Sequence, residues 1–222
     1  MLYLALSCLQ GRLGSEALKE LLLLKPTGIQ LTPGNVIDSE FTSLLGRTSI
    51  STRTHNGFSW KAMRKRVWED GVLNGYWDSV HAPTFKDCPN WWLNIQTNSG
   101  QPAWEIMYPS KHNYHLSTWA ELDNAMNMGI KLAVDISHLA IMRDCYGEFP
   151  LTLKRLQDYH NINEIHVSQS IRDKDAHAPI TKDTLYLEWA KERLASGTQV
   201  VLECYMHKLT QDERLRQIAL LQ

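Results

Sequence analysis

The sequence predicts a single α/β domain in which eight parallel strands close into a (β/α)8 barrel. Apolar, β-branched runs alternate with segments of helical periodicity along the whole chain, and eight such runs can be counted. No linker, repeat or low-complexity tract divides residues 1–222. Strands that alternate with helices form parallel sheets, and eight repeats favour closure into a compact barrel of this size.

Five of the predicted strands lie in the first half of the chain. They span residues 3–8, 28–32, 49–55, 76–81 and 102–107, and Pro33-Gly34-Asn35 is a turn signal after the second. Helical periodicity is present at residues 15–25 and 61–70. The connection at residues 84–100 is rich in Pro, Asn and Trp. We expect little helix there, so the barrel is predicted to be irregular between strands four and five.

The second half continues the alternation. Strands are predicted at residues 131–136, 163–168 and 199–204, and helices at 117–128, 151–160, 184–195 and 210–221. Ser117 with Glu121 indicates the beginning of a helix, and Gly129 fits the position just after its end.

The charge balance argues against a nucleic-acid partner. The chain has 23 basic and 24 acidic residues, a formal charge of −1, whereas nucleic-acid binders usually carry a basic excess or stripe. The basic cluster at residues 61–66 is interpreted as the solvated face of a helix.

Cysteine usage predicts a reduced, cytoplasmic protein. Cys8, Cys88, Cys145 and Cys204 lie far apart, without a CxxC pair and without a secretory segment before them. The leucine run at residues 21–24 is too short for a membrane span and is interpreted as a helix end, so no membrane association is expected.

Nine histidines and carboxylates fall at or just after six consecutive predicted strands. Because the carboxyl ends of barrel strands converge on one mouth, residues far apart in sequence are expected to share one pocket there. The predicted set is His55, His81, Glu105, Asp135, His138, His166, Asp175, His177 and Glu203.

This set predicts a metal centre. Four carboxylates in a partly buried mouth repel one another and require cations or protons. Two divalent ions would balance them, and three would leave the site cationic enough to hold an anionic ligand. Nitrogen and oxygen ligands without a thiolate suit iron, manganese or zinc better than copper(I) or an iron–sulfur cluster. The spacing in Asp175-x-His177 places both side chains on one side of an extended segment, and Asp135-x-x-His138 can do the same where the chain turns.

Other polar residues are given ordinary roles. His160 is interpreted as the end of a surface helix, and His112 and His115 as part of a solvated loop. Arg53, Arg172 and Lys111 are considered as substrate contacts, with a plain surface role as the alternative.

The order of the nine residues resembles the xylose-isomerase-like TIM-barrel superfamily and, within it, members with trinuclear sites such as endonuclease IV. The segments at residues 164–170, 175–180 and 185–189 are most similar to multinuclear non-heme iron-dependent oxidative enzymes, which modify cysteine and other residues of small peptides. That resemblance implies two or three irons, dioxygen as oxidant, a peptide substrate and often a peptide-recruiting partner protein. The chain is short for that branch, and position 138 is His where many relatives carry Asn. Toward endonuclease IV, the glycine-rich continuation after Asp175-x-His177 is missing.

The leading hypothesis is therefore a metal-dependent enzyme, with iron-dependent oxidation of a peptide cysteine ranked first. The second hypothesis is a sugar isomerase or epimerase that uses one divalent ion on the predicted catalytic core, which consists of Glu105, Asp135, His166 and Glu203. That reaction leaves His55, His81 and the Asp175-x-His177 pair idle. The third is a zinc phosphodiesterase, which would use all nine residues but has the wrong charge balance for DNA. The fourth hypothesis is a non-enzymatic barrel that binds a partner and retains only vestigial ligands.

Overall fold

The computed structural model describes residues 1–57, 77–95 and 100–222. Eight strands form a closed, wholly parallel barrel in the order β1-β10-β7-β6-β5-β4-β3-β2, and β2 pairs with β1 to complete the circle. The barrel strands are β1 Leu2–Ala5, β2 Gly28–Leu31, β3 Ser51–Asn56, β4 Ser79–His81, β5 Ala103–Glu105, β6 Leu132–Asp135, β7 Ile162–Val167 and β10 Gln199–Leu202. The predicted (β/α)8 TIM barrel is thus confirmed.

Two further strands, β8 Gln169–Ile171 and β9 Lys174–Ala178, form an antiparallel hairpin outside the barrel, directly after β7. The sequence analysis expected an extended loop here. The pairing of β9 with β8 gives this segment a defined direction and brings it back to the barrel mouth, where Tyr205 N–H donates to the His177 carbonyl at 2.8 Å.

Helices connect the strands and cover the barrel. They are α1 Gly14–Leu22, α2 Ser39–Arg47, α3 Trp91–Asn94, α4 Trp119–Asn127, α5 Ile136–Tyr146, α6 Pro150–Gln157, α7 Leu187–Ala195 and α8 Gln211–Ala219. The core combines fully buried strand residues such as Leu4, Ile29 and Val134 with helix residues such as Leu18 and Leu122. No helix in the described ranges is long and apolar enough to cross a membrane.

Several predicted boundaries were wrong. The first strand ends at Ala5, because residues Leu6–Leu9 turn into a 3-10 helix. Helices α2 and α5 were not predicted. Helix α4 begins after Thr118 rather than at Ser117: the Thr118 hydroxyl accepts from Glu121 N–H at 3.2 Å, while the Ser117 hydroxyl donates to the Tyr114 carbonyl.

The connection between β4 and β5 agrees with the expected shortage of helix. Within its described part only the four-residue α3 is helical, although β4 and β5 themselves pair regularly. The predicted helix at residues 61–70, its basic cluster and the first residue of the predicted fourth strand lie outside the described residues.

Candidate metal centre

The nine predicted residues are brought together at the carboxyl ends of the barrel strands. His55 and His81 lie at the ends of β3 and β4, Glu105 ends β5, and Asp135 ends β6. His166 is in β7, and Glu203 directly follows β10. The described structure buries all of these except His81, which is partly exposed.

The remaining three residues come from two elements that differ from the sequence prediction. His138 lies in the first turn of α5, where Asp135 is the N-cap residue. Asp175 and His177 lie in β9. The hairpin places the Asp175 carboxylate 3.4 Å from His138 Nε2, and His177 Nε2 lies 3.2 Å from the same carboxylate oxygen. His177 has a φ of +43°, an uncommon backbone conformation for a non-glycine residue, at the point where the hairpin meets the mouth.

Glu105 is at the centre of the cluster, because four histidines face its carboxylate. Its Oε2 lies 3.2 Å from His55 Nε2 and 3.1 Å from His81 Nε2. Its Oε1 lies 3.4 Å from His166 Nδ1 and 3.5 Å from His138 Nδ1. His138 Nδ1 is also hydrogen-bonded to the Ile106 carbonyl at 2.7 Å, so its Nε2 is the nitrogen that is available for an ion.

Two other groupings flank Glu105. On one side, His166 Nδ1 lies 3.5 Å from Glu203 Oε1, and Asp135 offers an oxygen within ligand distance of both. On the other side, Asp175 Oδ2 lies 3.4 Å from His138 Nε2 and 3.2 Å from His177 Nε2. The cluster therefore divides into three adjoining sets of nitrogen and oxygen atoms.

Unsatisfied atoms show that this donor set suits metal ions. In the described part of the chain, several buried atoms that face the cluster make no hydrogen bond: Glu105 Oε2, Asp135 Oδ2, His138 Nε2 and His166 Nδ1. Leaving a buried polar atom unpaired costs about 1–3 kcal/mol. Four such atoms that converge on one cavity are explained if each has a cation as its partner.

Gly57 is a second indication that the space beside the histidine nitrogens is kept free of protein atoms. It follows β3, and a Cβ atom at this position would overlap both His81 Nε2 and His55 Nε2. Only glycine leaves these two ring nitrogens accessible from that side, and the sequence analysis did not identify it.

Mutual charges displace the pKa values of the cluster in the metal-free protein. Burial would raise the pKa of Glu105, but His81, His166 and His55 outweigh it and hold that pKa well below its usual range. Burial would lower the pKa of His138, but Asp135 and Asp175 raise it to about 10. Likewise Asp175 outweighs the burial of His177 and raises its pKa to about 9.

Burial dominates the pKa values of two other residues of the cluster, His55 and Glu203. Burial lowers the pKa of His55 to about 3, so its ring is neutral at pH 7. Burial, with help from Glu105, raises the pKa of Glu203 to about 7 despite the nearby His166. Glu203 can therefore exchange a proton near neutral pH.

The structure also identifies polar residues that the sequence analysis missed or misplaced. Glu164 is fully buried in β7, two residues before His166, and it forms an ion pair with Arg53 at 2.7 Å. Arg53 is thus paired and largely buried, which argues against the substrate contact considered for it, whereas Arg172 and Lys111 are exposed.

Three histidines outside the cluster differ in their exposure to solvent. His160 and His112 are exposed as expected. His115 is fully buried rather than solvated, because its ring packs against Phe85 and Trp91 and its Nε2 lies 2.9 Å from the Cys88 carbonyl.

Aromatic rings border the candidate metal centre. The Tyr108 ring lies 4.7 Å from that of His138, and the Tyr205 ring 5.1 Å from that of His177. The Tyr114 ring is more distant, at 6.4 Å from His81. Burial and the nearby Asp175 raise the pKa of Tyr108 to about 12, so its hydroxyl stays protonated and can donate a hydrogen bond.

Comparison with known proteins places the fold but not the reaction. No protein-family model and no curated protein matches the chain. Among solved structures it is similar to a D-tagatose 3-epimerase-like protein, with a TM-score of 0.60 and 12% identity over 98% of this chain and 95% of that one. At this identity the likeness shows the fold alone. The resemblance to the xylose-isomerase-like superfamily, to endonuclease IV and to oxidative iron enzymes stays a prediction.

Proposed function

We propose that this chain is a metal-dependent enzyme that holds two or three divalent ions in the mouth of its barrel. The observation that carries the proposal is the position of Glu105, whose two carboxylate oxygens face four histidines from four different elements. Histidine nitrogens that converge on one buried carboxylate, with further carboxylates around them, form a typical ligand set for iron, manganese or zinc.

The three adjoining sets indicate which residues would hold each ion. His55, His81 and Glu105 form one set, and Asp135, His166 and Glu203 form the second. We assign His138 and His177, which both face the Asp175 carboxylate, to the third set together with Asp175. Bound at these sets, divalent ions would supply Lewis-acid polarisation of a substrate oxygen, and iron would also supply redox chemistry.

The protein's own residues would orient a substrate and exchange protons with it. Tyr108 and Tyr205 form aromatic walls beside the third set, and the Tyr108 hydroxyl can donate to a substrate oxygen. Glu203 would accept or return a proton at a carboxylate oxygen that is not bound to an ion. The same groups would keep part of the mouth dry and so strengthen its electrostatic interactions.

A multinuclear reaction fits this geometry best. All three sets adjoin one another, and a single-ion enzyme would leave five of the nine residues without a purpose. Within this class, oxidation of a small peptide by an iron centre is our first candidate, supported by nitrogen-rich ligation, and a separate recruiting protein could deliver the peptide.

Isomerisation or epimerisation of a sugar is the second candidate, and a specific observation favours it. The similar solved structure is that of an epimerase-like protein, and the four-residue core of Glu105, Asp135, His166 and Glu203 is assembled here. With one divalent ion, Glu203 or Glu105 would move the proton on carbon while the ion polarised the adjacent carbonyl.

Counting bound metal tests the proposal. The protein would be purified anaerobically from iron-supplied cells and analysed for iron, zinc and manganese, beside an Asp175→Ala/His177→Ala double variant. We expect two or three equivalents in the wild type and about one fewer in the double variant, which lacks most of the third set. Asp173→Ala is a matched control, because Asp173 is an exposed carboxylate near the same hairpin turn; it should retain the wild-type count.

A single exchangeable ion in the wild type, unaffected by the double variant, would overturn the multinuclear proposal and promote the epimerase. The loaded protein would then be assayed for dioxygen consumption with cysteine peptides and for deuterium exchange into ketoses. The product that forms assigns the reaction.

A further inference from the structure

A tenth charged residue, Glu164, lies directly beneath the candidate metal centre. Glu164 and His166 are on the same face of β7, since side chains two residues apart in a strand point the same way. The Glu164 carboxylate is fully buried and accepts from four groups. His166 Nε2 lies 2.8 Å away, Gln30 Nε2 donates at 3.1 Å, Arg53 Nε donates at 2.7 Å, and the Ser79 hydroxyl donates to its Oε1.

Glu164 determines which nitrogen of His166 is free. A neutral imidazole carries one N–H, and the carboxylate, which can only accept, requires that proton at Nε2. The other nitrogen, Nδ1, lies 3.4 and 3.5 Å from Glu105 Oε1 and Glu203 Oε1. When an ion displaces one proton from the ring, Nδ1 is therefore the nitrogen that loses it, because Glu164 retains the proton on Nε2. This is the arrangement in which a carboxylate behind a histidine fixes the ring for metal binding.

The same carboxylate acts on His55 through Ser79. A hydroxyl has one proton, and Ser79 gives it to Glu164. The Ser79 oxygen can therefore only accept from His55 Nδ1, which lies 2.9 Å away. The proton of His55 is thereby held at Nδ1, and Nε2 is left bare at 3.2 Å from Glu105.

The surroundings of Glu164 argue against its being a metal ligand itself. Its Oε1 accepts from Ser79 and Gln30 and faces His166, while its Oε2 is taken by the Arg53 guanidinium. A cation bound beside that guanidinium would be repelled. Arg53 Nη1 also lies 3.9 Å from Asp78 Oδ1, so a second carboxylate helps to hold the guanidinium in place.

We propose that Glu164 is a positioning residue that sets the tautomer of two metal-binding histidines, His166 directly and His55 through the Ser79 hydroxyl. This inference rests on the proposed metal centre and extends it to residues outside the nine. One buried carboxylate thereby prepares two of the three ligand sets for ions.

The test compares the metal affinity of the full-length wild type with that of Glu164→Gln, which keeps the shape of the side chain but not its charge. Zn²⁺ is titrated into metal-free protein against a competing chelator. Loss of a carboxylate behind a ligating histidine typically weakens metal binding about 10–100-fold, and we expect a loss in that range. The NMR spectra of the two zinc-loaded proteins are also compared. The hydrogen-bonded ring N–H resonances of His166 and His55 that the wild type shows should be shifted or missing in Glu164→Gln.

Ser79→Ala provides a second variant that tests one arm alone. It should weaken the binding of the ion held by His55 and shift the ring N–H resonance of His55. The ring N–H resonance of His166 should keep its position. Thr152→Val is the matched control, since it removes a buried hydroxyl that donates to Asp123 at 2.9 Å on another part of the barrel. That variant should lower the thermal midpoint of the metal-free protein and leave zinc affinity unchanged.

The outcomes separate the two proposals. A wild type that binds zinc tightly, with Glu164→Gln and Ser79→Ala binding equally well and with unchanged ring N–H resonances, would overturn the positioning role and leave the metal centre intact. A wild type that binds none of the tested metals would overturn the metal centre itself.

Discussion

Single residues decide how much room the candidate metal centre has, and Gly57 does so most directly. Its hydrogen faces the Nε2 atoms of His55 and His81, and a methyl group there would overlap both. We expect Gly57→Ala to lose about one metal equivalent, because the alanine side chain would occupy the space beside these two nitrogens. Elemental analysis of the purified variant measures the loss.

Gly46→Ala is the control for this substitution. Gly46 lies in α2, and no atom lies within 4 Å of a Cβ built there. This variant should keep the full metal content and gain up to about 1 kcal/mol in stability, since alanine favours a helix over glycine. An undiminished metal count in Gly57→Ala would refute the role given to Gly57.

The sequence predicts the nine clustered residues because each stands at or just after a predicted strand, where barrel topology forces convergence. It does not reveal Glu164, although the residue is two positions from His166. Alternation along β7 places Glu164 on the inner face but cannot show whether its charge is neutralised, and that depends on Arg53, which is 111 residues away in the chain. The role of Gly57 could not be predicted either, because the sequence does not show which glycines lie against another side chain.

At the scale of elements, helix α5 and the metal centre share Asp135. Its Oδ1 accepts from Ser137 N–H at 2.6 Å and from His138 N–H at 3.4 Å, which caps the helix, while Oδ2 faces the cluster without a hydrogen bond in the described structure. Helix capping and the proposed ion binding would therefore use different oxygens of one side chain.

This division predicts different effects of two substitutions. Asp135→Asn keeps an efficient N-cap, so helix α5 should lose little stability in the metal-free protein, while about one metal equivalent is lost from the second set. Asp135→Ala removes both functions and should cost about 1 kcal/mol more in the free energy of unfolding. Urea denaturation with and without metal measures both quantities. Equal metal affinity in Asp135→Asn and wild type would contradict the assignment.

The helices that the sequence failed to predict have physical reasons for being inconspicuous. The residues of α5 from Ile136 to Met142 are all buried, so the helix lacks the polar face that produces a 3.6-residue period. In α2 the apolar stripe consists of only Phe41, Leu44 and Leu45, at the spacing i, i+3, i+4 in a nine-residue helix, and Phe41 alone is fully buried. Asp38, the N-cap residue, accepts from Phe41 N–H at 2.9 Å and was a second signal of this helix.

For the molecule as a whole, the barrel could be predicted because eight strand–helix repeats have few other ways to bury their apolar faces. The hairpin β8–β9 could not be predicted in this way, since it is an addition to the repeat. It is nevertheless part of the candidate site, because it supplies Asp175 and His177. Only the three-dimensional arrangement shows that Asp175 reaches His138 and that His177 faces the same carboxylate.

The charge balance of the cluster makes stability depend on pH in opposite ways with and without metal. In the metal-free protein, the pKa values of His138 and His177 are raised to about 10 and about 9, above the ordinary value of 6.5. A raised histidine pKa contributes stability that is complete below pH 6.5 and is lost as the pH rises through the folded value. The free energy of unfolding of the metal-free protein should therefore fall between pH 7 and pH 10.

Metal binding reverses this trend, because an ion must displace the histidine protons. Affinity for zinc should increase over the same pH range, with release of protons into the buffer. Urea denaturation in a chelator and zinc titrations at pH 7, 8 and 9 measure the two trends. Metal-free protein whose stability rises with pH across this window would contradict the ion pairs described for His138 and His177.

The most direct test of a multinuclear centre is a crystal structure of the metal-loaded protein with anomalous diffraction recorded at the absorption edge of the metal. The proposed centre predicts two or three anomalous peaks within the mouth, around the Glu105 carboxylate and between the three ligand sets. A single peak on the four-residue core, or no peak in the mouth, would contradict it.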